Sequence, residues 1–165
     1  MIMINKQERT EEVARYYEAI TNTNSEYVKY WFENIYGHWD YWIVVLLTIS
    51  PWIIWFLVRN KQSQGRLLMA GLLMMLFASS LDFLGVVSGR WFYTTDVIPT
   101  LPSFLPWDVS IFPVLIMLFI QFKPELNPWL KALVFSLFNS FVGEPFMKWL
   151  GLYVSVITAS EMYHQ

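Results

Sequence analysis

The stretch RLLMAGLLMMLFASSLDFLGVV, Arg66 to Val87, decides the fold: past its first residue it carries one charge, Asp82, and it is long enough to cross a bilayer as a helix. A charged side chain near mid-bilayer costs at least ~2.5 to 3.5 kcal/mol on insertion scales, which makes an embedded acid a candidate functional residue by default. Downstream, Gly85 and Gly89 form a GxxxG pair, the small-residue spacing that lets two membrane helices pack closely. Upstream, residues 41–58 form a first span, entered through HWDYW, kinked at Pro51 and closed by Arg59 and Lys61.

Further along, RWFYTTDVIPTLPSFLPW (Arg90 to Trp107) holds three prolines and mixed polarity, and reads as a loop covering one mouth of a bundle. A short third span follows at about 106–122, and a fourth from about 128 to 153, leaving residues 154–165 as a polar tail. Composition agrees: 56% of the 165 residues are hydrophobic and only 15% charged, outside the soluble globular range. The expected fold class is therefore all-α, an integral membrane bundle of about four transmembrane helices over residues 39–153.

Residues 1–38 differ in character. They are polar and acidic, without the basic and apolar regions of a signal peptide. Val13, Tyr16, Tyr17 and Ile20 recur at helical spacing until TNTNSE interrupts them; Thr23 and Glu26 then fit a capping box for a second helix. That second helix, residues 24–36, sets Val28, Trp31, Phe32 and Ile35 on one face and Lys29 and Glu33 on the other, with Gly37 as terminator. It is expected on the membrane surface or docked on another protein.

The absence of cysteine removes disulfides, thiolate chemistry and the usual zinc and iron-sulfur sites, and His38 and His164 stand alone; no metal and no cofactor is expected. A net charge of -2 without a basic cluster speaks against nucleic acid as a partner. Arg59, Lys61 and Arg66 in one loop, with Lys123 and Lys131 in another, place both on the cytoplasmic side and the Arg90 to Trp107 loop outside.

Counted from those basic flanks, three acids share a depth. Asp82 lies 16 positions after Arg66, Glu144 13 after Lys131 and Asp108 15 before Lys123, which at 1.5 Å per residue puts each roughly 20 to 24 Å from the inner surface. These three are the catalytic candidates. Ser136, Ser140, Glu144 and Lys148 recur every four residues as a polar stripe expected to face the bundle interior, with Asn139 and Gly143 beside it. Each has a plainer reading too: Glu144 and Lys148 fit an i, i+4 ion pair, Asp108 in LPWDVS fits a helix N-terminus, and Trp91 and Tyr93 fit interfacial anchors. Asp82 fits none of these, and Arg90 is its nearest basic candidate. The candidate ligand-binding set is Asp82, Arg90, Trp91, Tyr93, Trp107, Asp108, Asn139, Ser140, Glu144 and Lys148.

The ordered segments LDFLGVVSGRWFY, LPSFLPWDVSIFPVLIM and FVGEPFMKWLGLY resemble an uncharacterised family of small multi-pass membrane proteins from spore-forming Gram-positive bacteria. That resemblance implies residence in the bacterial cytoplasmic membrane and brings no activity; its members continue into a further apolar span where this chain stops at Gln165. A fainter similarity is to membrane-embedded lycopene and related terpene cyclases, carried by Asp82, by Trp91 with Tyr93, and by Pro106-Trp107-Asp108 in that order, with a single Asp108 where the cyclases have paired glutamates. It implies an acid that protonates an olefin and aromatic faces that stabilise the resulting cation.

Three functions follow as expectations. The first is a non-catalytic bundle whose acidic layer stabilises it or binds a lipophilic small molecule or partner helix among membrane lipids. The second is a cyclase-like or isomerase-like enzyme acting on an isoprenoid. Proton-coupled transport is the third.

Overall fold

A computed structural model describes residues 5–101, 103–122 and 124–156. Lys123, His164 and most of the expected tail lie outside the described residues, and with Lys123 goes one count of the depth comparison. The chain divides into two compact units, Met1–His38 and Trp39–Gln165.

Asn5 starts the first unit. Its side chain accepts from the amide of Gln7, and the Glu8 carboxylate takes the amide of Asn5 at 3.1 Å, a capping box that opens one helix, α1, from Lys6 to Asn34. The sequence pattern led to two helices here; the structure has one. TNTNSE does not break it because its hydroxyls bond back one turn, Thr21 to the carbonyl of Tyr17, Thr23 to Ala19 and Ser25 to Thr21, so the polar side chains follow the helix instead of ending it. Thr23 is thus a mid-helix residue rather than a cap. Gly37, at φ +81°, supplies the left-handed turn past the helix end.

In the second unit, α2 (Trp39–Val58) and α3 (Gln64–Val87) are each long and apolar enough to cross a membrane. Their burial is confined to narrow lines. On α3 the buried residues are Leu67, Gly71, Ala78, Asp82 and Gly85, a single face mostly of small side chains, while Leu68, Leu72, Leu76 and Phe77 stand exposed. On α2 only Val44 and Trp55 are buried, and Pro51 sits inside the helix. An exterior this apolar is what a hydrocarbon solvent requires of a helix.

The other two expected spans are irregular. A π-helical segment, Pro106–Ile111, runs into α4 (Phe112–Gln121), together a shorter apolar helix. Asn127 caps α5 (Pro128–Phe138) through the amide of Trp129; a second π-helical segment, Asn139–Gly143, then leads into α6 (Glu144–Trp149), making one helical run of three parts. The run ends at Trp149 rather than at Tyr153. After Gly151, at φ +74°, the chain turns into a short strand, β2 (Tyr153–Ser155), which pairs antiparallel with β1 (Trp91–Tyr93), Tyr93 opposite Tyr153. Part of the segment expected as a tail is therefore pinned. Thr94 adds a side-chain bond to the carbonyl of Gly151 at 2.7 Å, and the amide of Val156 reaches the carbonyl of Arg90.

Two clusters hold this unit. Trp55, Leu67, Val114 and Met117 pack near one end, where Met117 lies against Gly71 and Gln121 bonds both the carbonyl of Val58 and the amide of Asn60. Val44, Phe104, Met147 and Leu152 form the second, and beside it the buried Thr95 donates to Asp40 at 2.8 Å, fastening the proline-rich loop to the start of α2.

Candidate functional site

Between α3, the β1 strand, the two π-helical segments and β2 lies a cavity of about 570 Å³. Its walls are apolar and aromatic, and all three acids that the depth comparison placed in one layer line it: Asp82, Asp108 and Glu144.

Asp82 forms its centre. Buried on the α3 face, it accepts from the indole Nε1 of Trp91 at 2.8 Å, the phenol of Tyr93 at 2.6 Å and, on its other oxygen, the amide of Phe104 at 3.3 Å. These donors are all neutral. Arg90, expected as the basic partner, is exposed and does not line the cavity, and among the described residues no cation reaches Asp82. The β1 strand achieves this placement by carrying Trp91 and Tyr93 on one face, two residues apart, so both donors return to the helix that precedes them. They are ligands of the acid instead of anchors. Burial first, and then the bond and charge of Asp82, push the Tyr93 phenol above its ordinary range.

Asp108 meets the same amide. From the first π-helical segment its carboxylate accepts from the amide of Phe104, four residues back, at 3.2 Å, so it bonds a free amide just ahead of the helix start and does not cap the segment's own first turn. Its neighbourhood goes further: one amide hydrogen is shared by two buried carboxylates, at 7% and 1% exposure. The ring of Phe104 stacks on Tyr93 with centroids 4.1 Å apart and planes within 2°, closing this end of the cavity.

The glycines act as seats for indoles. A Cβ at Gly85 would fall within the ring of Trp91, and one at Gly143 would lie 2.5 Å from Cη2 of Trp107. The GxxxG reading is corrected accordingly: Gly85 receives an aromatic ring rather than a helix, and Gly89, at φ +67°, serves the turn into β1.

On the far wall the polar stripe is displaced by one residue. Gly143 and Met147 are buried and Asn139 half-buried, whereas Ser136, Ser140, Glu144 and Lys148 are exposed; Ser140 and Glu144 border the cavity and Ser136 and Lys148 do not. The line of lower exposure runs through Lys131, Phe135, Asn139, Gly143 and Met147, every four residues and one position ahead of the stripe along its whole length. Asn139 donates to the carbonyl of Phe135, one turn back, and its Oδ1 is buried with no hydrogen-bond partner among the described residues. Glu144 pairs with Lys148 at 2.9 Å, both about half exposed, and the Lys148 ammonium lies 5.5 Å from the ring centre of Tyr153.

Of the candidate ligand-binding residues, Asp82, Trp91, Tyr93, Trp107, Asp108, Asn139, Ser140 and Glu144 meet at the cavity, and Arg90 and Lys148 do not. Phe104 and Tyr153 belong to it and were missed. Phe104 is placed by a loop and Tyr153 by the β1–β2 pairing, neither of which leaves a periodic trace. No group of acids and histidines among the described residues has the arrangement to hold a metal ion. Comparison with protein-family models, curated proteins and solved structures finds no match.

Proposed function

We propose that this chain is a multi-pass protein of the bacterial cytoplasmic membrane whose bundle binds a lipophilic small molecule in the cavity beneath the proline-rich loop. The carrying observation is that the three acids from separate helical segments converge on one apolar, aromatic-lined cavity, the form that ligand sites take. Exposed apolar faces on α2 and α3, and on the run from Pro128 to Trp149, support the membrane setting and a count of spans above two. The resemblance to small membrane proteins of spore-forming bacteria points the same way.

The test is direct. Lipophiles extracted from the detergent-purified chain and identified by mass spectrometry should include one enriched over bulk lipid, and Ser140→Trp, which fills the cavity from an exposed position, should lose it. Identical extracts from the two proteins would end this reading.

One observation favours a second reading, an enzyme acting on an isoprenoid. Two buried carboxyl groups, Asp82 and Asp108, meet at one amide beside the aromatic wall. A carboxylic acid so placed can protonate an olefin, and the rings of Trp91, Tyr93 and Trp107 could stabilise the cation formed. Asp108→Asn should then abolish turnover of an isoprenoid that still binds; unchanged turnover would exclude the acid's role.

A further inference from the structure

We infer that the cavity's ligand is an organic cation: a positive charge on an apolar body. The inference rests on the cavity being a ligand site and adds the charge of what it holds. Three carboxyl side chains line the cavity, and no lysine, arginine or histidine among the described residues does. The rings of Trp91, Tyr93, Phe104, Trp107, Phe112 and Tyr153 make up much of the remaining wall, and ring faces attract cations through their quadrupole.

The donors decide against other ligands. Trp91 and Tyr93 direct their N–H and O–H groups to Asp82, and the Phe104 amide is taken by Asp82 and Asp108, so an anionic head at this end of the cavity would meet two carboxylates whose own donors are engaged. On the opposite wall Asn139 Oδ1 is a buried acceptor without a donor, a second negative pole independent of the acids. The one ion pair shows where unpaired acid remains. Glu144 is already paired with Lys148, so the cavity's acids without a cationic partner among the described residues are Asp82 and Asp108.

The Glu144–Lys148 pair supplies a test of opposite signs. Both residues are exposed, so their replacement leaves the core packing alone, while Glu144 borders the cavity. Binding of (4-hydroxyphenyl)trimethylammonium and of 4-tert-butylphenol, which differ by a charged nitrogen in place of a carbon, is measured on the full chain in nanodiscs by tryptophan fluorescence. Signal from the cavity-filled Ser140→Trp protein is subtracted as lipid background. The cation is expected to bind about tenfold more tightly than its neutral isostere. Lys148→Met, which leaves Glu144 unpaired, should tighten the cation about three- to tenfold, and Glu144→Gln should weaken it by a similar factor, each change exceeding the one the same variant makes in the phenol.

Equal affinities for the two probes would overturn the inference while leaving the ligand site standing. A tighter cation that ignores both variants would overturn it as well, since the charge would not lie among the acids. Binding of neither probe above the Ser140→Trp background would remove the inference together with the site beneath it.

Discussion

Substituting alanine at Gly85 tests how the site is built, because Gly65 in the same helix gives a control of identical chemistry. Nothing lies within 4 Å of a Cβ at Gly65, so Gly65→Ala should be neutral or stabilising by up to about 1 kcal/mol, the usual helix preference of alanine over glycine. At Gly85 the same methyl meets the Trp91 indole. The ring must move, at about 1 to 3 kcal/mol for overpacking, and its Nε1 leaves Asp82, losing a bond to a charged acceptor worth about 1.5 to 3 kcal/mol. Less the alanine preference, Gly85→Ala should destabilise by about 2 to 5 kcal/mol. Reversible denaturation in mixed micelles, followed by tryptophan fluorescence and near-UV circular dichroism, measures the difference between the two variants. A double-mutant cycle sharpens it: in a Trp91→Ala background the cost of Gly85→Ala should largely vanish, since the obstructing ring is gone. Equal stability of Gly65→Ala and Gly85→Ala would refute the seating of Trp91, and a cost that persists without Trp91 would return Gly85 to helix–helix packing.

Two further outcomes follow from the same geometry. The Tyr93 phenol, raised chiefly by burial and then by Asp82, keeps its proton in the folded protein above pH 10, where unfolded tyrosine loses it. The unfolded state then binds fewer protons, so stability should fall with rising pH from about 10 upward, and Tyr93→Phe should flatten that fall in denaturation measured against pH. Replacing Glu144 by Gln, Lys148 by Met, or both should change stability by no more than about 0.5 kcal/mol, because an i, i+4 pair this exposed contributes little; a loss above 2 kcal/mol in either single variant would show the pair to be buried by something the chain packs against.

The helical character of α2 and α3 was legible because an unbroken apolar run has few alternatives, and so was the grouping of Asp82, Asp108 and Glu144, since helical rise converts sequence distance into depth. What failed were inferences about facing. The Ser136-to-Lys148 stripe assumed that the polar side chains face inward, whereas the less exposed line runs one position ahead of it, through Phe135, Asn139, Gly143 and Met147. Gly85 looked like a helix contact because spacing alone cannot distinguish a glycine seating a neighbouring helix from one seating a ring six residues along its own chain. Arg90 was chosen for Asp82 on charge, whereas a strand beginning at Trp91 brings neutral donors closer. The break expected at TNTNSE ignored hydroxyls that bond one turn back.

Both π-helical segments border the cavity, and the backbone just ahead of the first presents the amide on which two acids meet. The Phe104 amide lies just ahead of the first helical turn and has no backbone partner among the described residues, so a side chain must complete its bonding, and Asp82 and Asp108 both take it. Had these acids served only that repair, one carboxylate would suffice for one amide. Two converge on it, one of them already supplied by Trp91 and Tyr93, beside open volume and an unmatched Asn139 oxygen. A structure that only needed its backbone satisfied would gain by replacing the second buried acid with an apolar residue, since removing a surplus buried carboxyl relieves its desolvation. The separation of the two roles is therefore measurable: Asp108→Leu should be no less stable than wild type if the pair is surplus to folding, and should lose the charge-dependent ligand if the pair exists for binding. Retained ligand with lost stability would reverse the assignment and make the acidic layer structural.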